Sequence, residues 1–99
     1  MGLDILIIFE NGDNNNFVMS EELHSEIFSS STRWSSFKEL KKIKDYYKVD
    51  INFNSKCSNS FLSELVEIRE RIKTKRNELD KLIINLDKRK IKKLRITGD

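Results

Sequence analysis

The chain has 99 residues, 37% of them hydrophobic and 35% charged, which allows one small hydrophobic core and no second one. Its net charge of +3 conceals an uneven layout: residues 1–32 carry six acids and no Lys or Arg, for −6, whereas residues 33–99 carry +9. No apolar run reaches the roughly 20 residues that span a bilayer, and the single cysteine, Cys57, excludes an internal disulfide framework and a multi-cysteine zinc site.

Leu3–Phe9 is short, apolar and rich in Ile, the profile of a buried strand. It lacks the basic flank and small-residue cleavage site of a signal peptide, so a cytoplasmic protein is expected. Glu10-Asn11-Gly12-Asp13 follows, and Asn-Gly between apolar segments signals a hairpin closed by a type I′ turn. Phe17-Val18-Met19 is then the returning strand, with a longer polar loop through Asn14-Asn15-Asn16 as the alternative. Ser20 before Glu21 and Glu22 has the form of an N-cap with acids in the first turn, which predicts a short helix over 21–28 carrying Leu23, Ile27 and Phe28 on one stripe.

Ser29–Ser36 holds six hydroxyl residues around Arg33 and Trp34 and reads as a loop. It ends in Ser36-Phe37-Lys38-Glu39, a capping-box pattern, and Phe37, Leu40, Ile43 and Tyr47 predict a helix over 37–47. Val49–Asn54 alternates apolar and polar, as a half-buried strand does. From Phe61 the apolar positions Leu65, Ile68, Ile72, Leu79, Leu82 and Leu86 keep a heptad spacing interrupted only by Lys75. The expectation is one helix over about 60–87, some 40 Å long. Such a helix would overhang a domain whose radius of gyration is near 13 Å. Lys88–Arg95 is strongly basic and reads as a tail, a helical extension or a short terminal strand from Leu94.

The predicted architecture is therefore α+β. A small, mainly antiparallel sheet, made of the N-terminal hairpin and one or two further strands, packs against two shorter helices and one long C-terminal helix. The chain divides into a compact part (1–58), the long helix (59–88) and a basic tail or terminal strand (89–99).

Chemistry-bearing motifs are sparse. Three glycines (Gly2, Gly12, Gly98) cannot form a P-loop or a dinucleotide fingerprint, and Glu10–Asn16 lacks the spaced acids of a calcium loop. His24 and Cys57 are the only histidine and cysteine. A nucleophile–base dyad of the two would need tertiary proximity, so no catalytic residue, metal ligand or cofactor is assigned. The leading expectation is a non-enzymatic protein-binding module of the inhibitor, immunity or antitoxin kind carried by phages and other mobile elements. It would occlude a partner protein through Arg33 and Trp34, steered by Glu10, Asp13, Glu21, Glu22 and Glu26. Self-association, most simply a dimer, is expected through Leu65, Ile68, Ile72, Leu79 and Leu82. The alternative is a nucleic-acid- or nucleotide-binding accessory protein using Lys88, Arg89, Lys90, Lys92, Lys93 and Arg95 with the lysines of the 37–48 helix. No membrane partner is expected.

Overall fold

The computed structural model describes residues 2–45 and 48–98. Its first strand, β1 (Leu3–Phe9), matches the apolar run, and its strict alternation sends Leu3, Ile5, Ile7 and Phe9 to one face. The return strand β2 (Asn14–Met19) begins three residues earlier than the apolar pattern suggests. The intervening turn is not the two-residue I′ type. Gly12 alone has positive φ, at +94°; its N–H donates to the Phe9 carbonyl (3.1 Å) and the Phe9 N–H to the Asp13 carbonyl (2.9 Å). The Asn11 side chain accepts from the Asp13 N–H at 3.0 Å, so Asn11 supplies a turn-making oxygen rather than a left-handed backbone.

Helix α1 (Glu21–Ile27) starts where expected, with the Ser20 hydroxyl accepting from the Leu23 N–H at 3.1 Å. Within the helix predicted over 37–47 the described residues form only a 3-10 turn, Leu40–Ile43, and a second 3-10 turn, Trp34–Ser36, precedes it in the predicted loop. The capping box does not form: Ser36 bonds back to the Arg33 carbonyl, and Glu39 turns its carboxylate to Lys42. Phe37, Leu40 and Ile43 are buried all the same, so the apolar spacing reported burial correctly but not helix. Tyr47 lies outside the described residues.

Strand β3 (Asp50–Phe53) leads directly into helix α2 (Ser55–Arg69), capped by Asn54, whose side chain accepts from the Cys57 N–H at 2.8 Å. The predicted long helix is then broken. Residues 70–75 turn the chain back, and α3 (Arg76–Leu86) packs against α2. The break has a physical reason. Lys73 to Glu78 contains no apolar residue, and Lys75 sits in the left-handed region at φ 63°. The turn's polar groups are met from elsewhere: Glu26 of α1 accepts from the Lys73 and Thr74 N–H groups, both at 3.3 Å. Arg76 donates to the Ile72 carbonyl at 2.8 Å, and Arg69 forks onto Asp80 across the two helices.

The chain closes with β4 (Ile91–Thr97). The basic segment is thus neither tail nor helical extension, but a turn at Lys88–Lys90 followed by a strand in the middle of the sheet. Sheet order is β2-β1-β4-β3, antiparallel throughout, with Ile5 opposite Phe17 and Ile96, and Ile51 also opposite Ile96. This is an α+β fold of four strands and three helices. The helices cover one sheet face, and the other is open. One continuous core joins Leu3, Ile5 and Ile7 to Leu23, Ile27, Phe61 and Leu82.

The proposed oligomer seam is part of that core: Leu65, Ile68, Leu79 and Leu82 are 0% exposed and Ile72 is 1%. The helical hairpin buries the stripe within the chain, leaving none of it for a second copy. Nor does a helix overhang; the molecule measures 37 × 26 × 23 Å with a radius of gyration of 12.3 Å. No helix among the described residues is long and apolar enough to cross a membrane.

Candidate functional site

The two strands that end the sheet differ in length, and that mismatch opens a cleft. β3 pairs only with Leu94–Thr97, so the first three residues of β4, Ile91–Lys93, have no strand beside them on that side. At Asn54 the chain leaves the sheet plane for α2, and the 3-10 turn Leu40–Ile43 closes the far wall. The resulting cleft, about 440 Å3, is lined by Lys42, Asn52, Phe53, Asn54, Cys57, Lys92 and Lys93.

A β-bulge places both β4 lysines there. Ile8 faces Lys93 while Phe9 faces Ile91, so Lys92 is an extra residue in β4 and the inward–outward alternation is interrupted. In a regular strand one of two consecutive lysines would point at the core. Here both are exposed, between buried Ile91 and Leu94.

The cleft is cationic. Its lining contains three lysines and no carboxylate, with the amides of Asn52 and Asn54 as neutral donors and acceptors. Behind Lys42 stands Glu39, 4% exposed, which accepts from the Lys42 ammonium at 2.8 Å. That bond chiefly holds the Glu39 carboxyl below the usual range, against burial, with the Lys42 charge, the Cys57 thiol and Lys38 adding to it. The same bond raises the Lys42 pKa and keeps its ammonium charged 5.7 Å from the centre of the Phe53 ring. Lys92 and Lys93 have no ion pair among the described residues. Two bulge lysines beside a third held by Glu39 can bind a polyanion or a phosphate group by charge and N–H donation.

The remaining basic residues are differently disposed. Arg89 pairs with Asp13, Lys90 lies 3.8 Å from Glu10, and Arg95 lies 3.6 Å from Asp50. Lys88 is exposed in the α3–β4 turn. A larger cleft, about 600 Å3, follows the α2–α3 turn past Lys73, Lys75, Arg76 and Lys81. Glu78 lines it as well, and Arg76 is already committed to the Ile72 carbonyl.

The acidic residues expected to steer a partner do not form one surface. Glu10 and Asp13 sit at the β1–β2 turn, facing their basic partners from the α3–β4 turn. Glu21, Glu22 and Glu26 lie on α1, beyond the opposite end of β2. Glu26 holds the α2–α3 turn. Arg33 is exposed in the left-handed conformation at φ 56°, whereas Trp34 is half-buried. The indole packs edge-on against Phe28 with centroids 5.3 Å apart, and Lys44 lies 5.2 Å over its ring. The Nε2–H of buried His24 donates to the Ile43 carbonyl at 2.8 Å, and Cys57 lines the cationic cleft, so the two residues have separate surroundings.

Asn52 and Asn54 were not visible as site residues in the sequence, and Lys42 was expected only as one of several lysines of the 37–48 segment, because what joins all three to Lys92 and Lys93 is the shortness of β3. One local signal was present: Ile91-Lys92-Lys93-Leu94 spaces its apolar residues by three in an otherwise alternating segment, which is the mark of a bulge. Compared with protein families, with characterised proteins and with solved structures, the chain matches none of them, so its geometry alone carries the functional reading.

Proposed function

We propose that this chain is a non-enzymatic binding protein whose partner is a polyanion, a nucleic-acid backbone, seated at the cleft between β4, the end of β3 and the Leu40–Ile43 turn. The observation that carries the reading is the convergence of Lys42, Lys92 and Lys93, from segments 50 residues apart, on one cleft with no carboxylate in its lining. Neutralised phosphates release counterions, so affinity falls with salt by a slope of about 0.7–0.9 per contact.

Fluorescence anisotropy of labelled single- and double-stranded oligonucleotides over a salt series tests this. The reading expects binding at low salt, a steep salt dependence, and a slope smaller by about 2 in Lys92→Ala/Lys93→Ala. Absence of binding at low salt, or equal slopes for the two proteins, would overturn it.

The second reading, an inhibitor or immunity-type protein that occludes a partner, is favoured by one observation: Arg33 is held exposed beside a half-buried Trp34. Arg and Trp together are the pair most enriched at interface hot spots. Its acidic steering surface is weakened by the internal partners of Glu10, Asp13 and Glu26. Capture of one protein partner by the wild type, lost in Arg33→Ala/Trp34→Ala, would favour it over the first reading.

A further inference from the structure

The cationic cleft has a blind end. Its inner limit is the last rung of the β3–β4 ladder, where Phe53 stands opposite Leu94. Both residues are buried, at 2% and 0% exposure, so a group entering from solvent stops there. The middle of a strand has to enter and leave again, and a notch closed on the inside gives it no exit. The end of a strand needs none.

Hydrogen-bond donors are in surplus around this notch. The Lys92 and Lys93 ammonium groups donate only, and neither has an ion-pair partner among the described residues. Lys42 spends one N–H on Glu39 and keeps the others. The Asn54 oxygen is taken by the Cys57 N–H at 2.8 Å, which leaves that amide its NH2 donors. Among the lining side chains, the Asn52 oxygen is the one strong acceptor left. Charge is in surplus too. Exposed Lys38 and Lys56 join Lys42, Lys92 and Lys93 against two carboxylates, Glu39 and Glu64, for +3. Glu64 is itself spent on the Glu39 and Leu40 N–H groups, and Arg95 cancels Asp50. The α3–β4 turn adds nothing net, since Asp87, Glu10 and Asp13 balance Lys88, Arg89 and Lys90.

We infer, resting on the nucleic-acid reading above, that the cleft takes the terminal phosphate of a strand, a phosphomonoester, in preference to its internal phosphodiesters. A phosphomonoester carries a charge of about −1.5 to −2 at pH 7 and accepts hydrogen bonds on about three oxygens of a single centre. An internal phosphate carries a single charge and continues into chain on both sides. The terminal group therefore answers the donor surplus, the charge surplus and the blind end together. The β4 bulge is what permits it, because a regular strand would turn one of two consecutive lysines away from the notch. The 5′ and 3′ ends of a strand share this chemistry when phosphorylated.

An internally labelled single-stranded oligonucleotide tests this by fluorescence anisotropy, in forms with a 5′-phosphate, a 3′-phosphate or hydroxyls at both ends. The phosphorylated end that the cleft accepts should raise affinity about tenfold over the hydroxyl form, the worth of one charged hydrogen bond. Which form gains identifies the end. The gain should shrink as pH falls through about 6, where the monoester loses its second charge. Lys92→Ala/Lys93→Ala should bind all three forms alike. Equal affinity of the wild type for the three forms would overturn this inference and leave the backbone reading standing. Absence of binding to any form would remove both. A preference that survives in Lys92→Ala/Lys93→Ala, or that holds undiminished at lower pH, would also overturn the inference.

Discussion

Glu78 of α3 takes two hydrogen bonds from Ser20, one from its hydroxyl at 2.7 Å and one from its backbone N–H at 2.8 Å. The same hydroxyl accepts from the Leu23 N–H, so the N-cap of α1 is locked to a helix 58 residues later. Ser20→Ala should cost about 1–2 kcal/mol by removing the cap and half of the Glu78 contact. Ser20→Thr, which keeps the hydroxyl, should lie near the wild type. Urea denaturation of the three proteins reads the difference directly.

Lys75 is one of two non-glycine residues in the left-handed region among the described residues. A side chain there costs roughly 1–2 kcal/mol, which glycine avoids. Glycine also gives back conformational entropy of the unfolded chain. Lys75→Gly should therefore be neutral to stabilising, by up to about 1 kcal/mol, and β-branched Lys75→Ile should destabilise. A helix running unbroken through position 75 would show the reverse order.

That residue also marks the limit of what the sequence disclosed. Leu3–Phe9, α1 and the strand ending at Phe53 were legible because period-two and capping signals are local. The heptad stripe from Phe61 to Leu86 was legible as burial, but its partner was not. A stripe folded back at Lys75 and a stripe facing another chain have the same spacing, and only the six-residue polar interval argued for the turn. The cleft was illegible for a related reason. Lys42 meets Lys92 and Lys93 through strand order and the length of β3, neither of which is written in the neighbourhood of any one of them.

Because the stripe is core, Leu79→Ala and Leu65→Ala should each lose about 2–5 kcal/mol. The loss should be independent of protein concentration, since both residues are buried within the chain. Denaturation midpoints measured over a hundredfold dilution check this. A Leu79→Ala effect that grows on dilution would restore the helix to a role between copies.

Buried His24 should give folding a pH dependence. Burial lowers its pKa, opposed by its bond to the Ile43 carbonyl and by the charges of Asp45 and Glu21. The unfolded chain takes up a proton near the ordinary value of 6.5, before the folded chain does. Stability present above that value should therefore decline as pH falls through it, and level off once the folded imidazole is also protonated. Urea midpoints across this range should show the step in the wild type and lose it in His24→Gln. A midpoint that rises on acidification through 6.5 would mean that the folded state prefers the charged ring.

On the reading proposed above, the cationic cleft is where this protein meets its partner. Titrating the 15N-labelled chain with a single-stranded oligonucleotide at low salt, and following its amide resonances, locates the contact residue by residue. Shifts should concentrate at Lys42, Asn52–Cys57, Lys92 and Lys93 and fade as salt is added. Shifts confined to Ser29–Ser36, or no shifts at all, would contradict that reading.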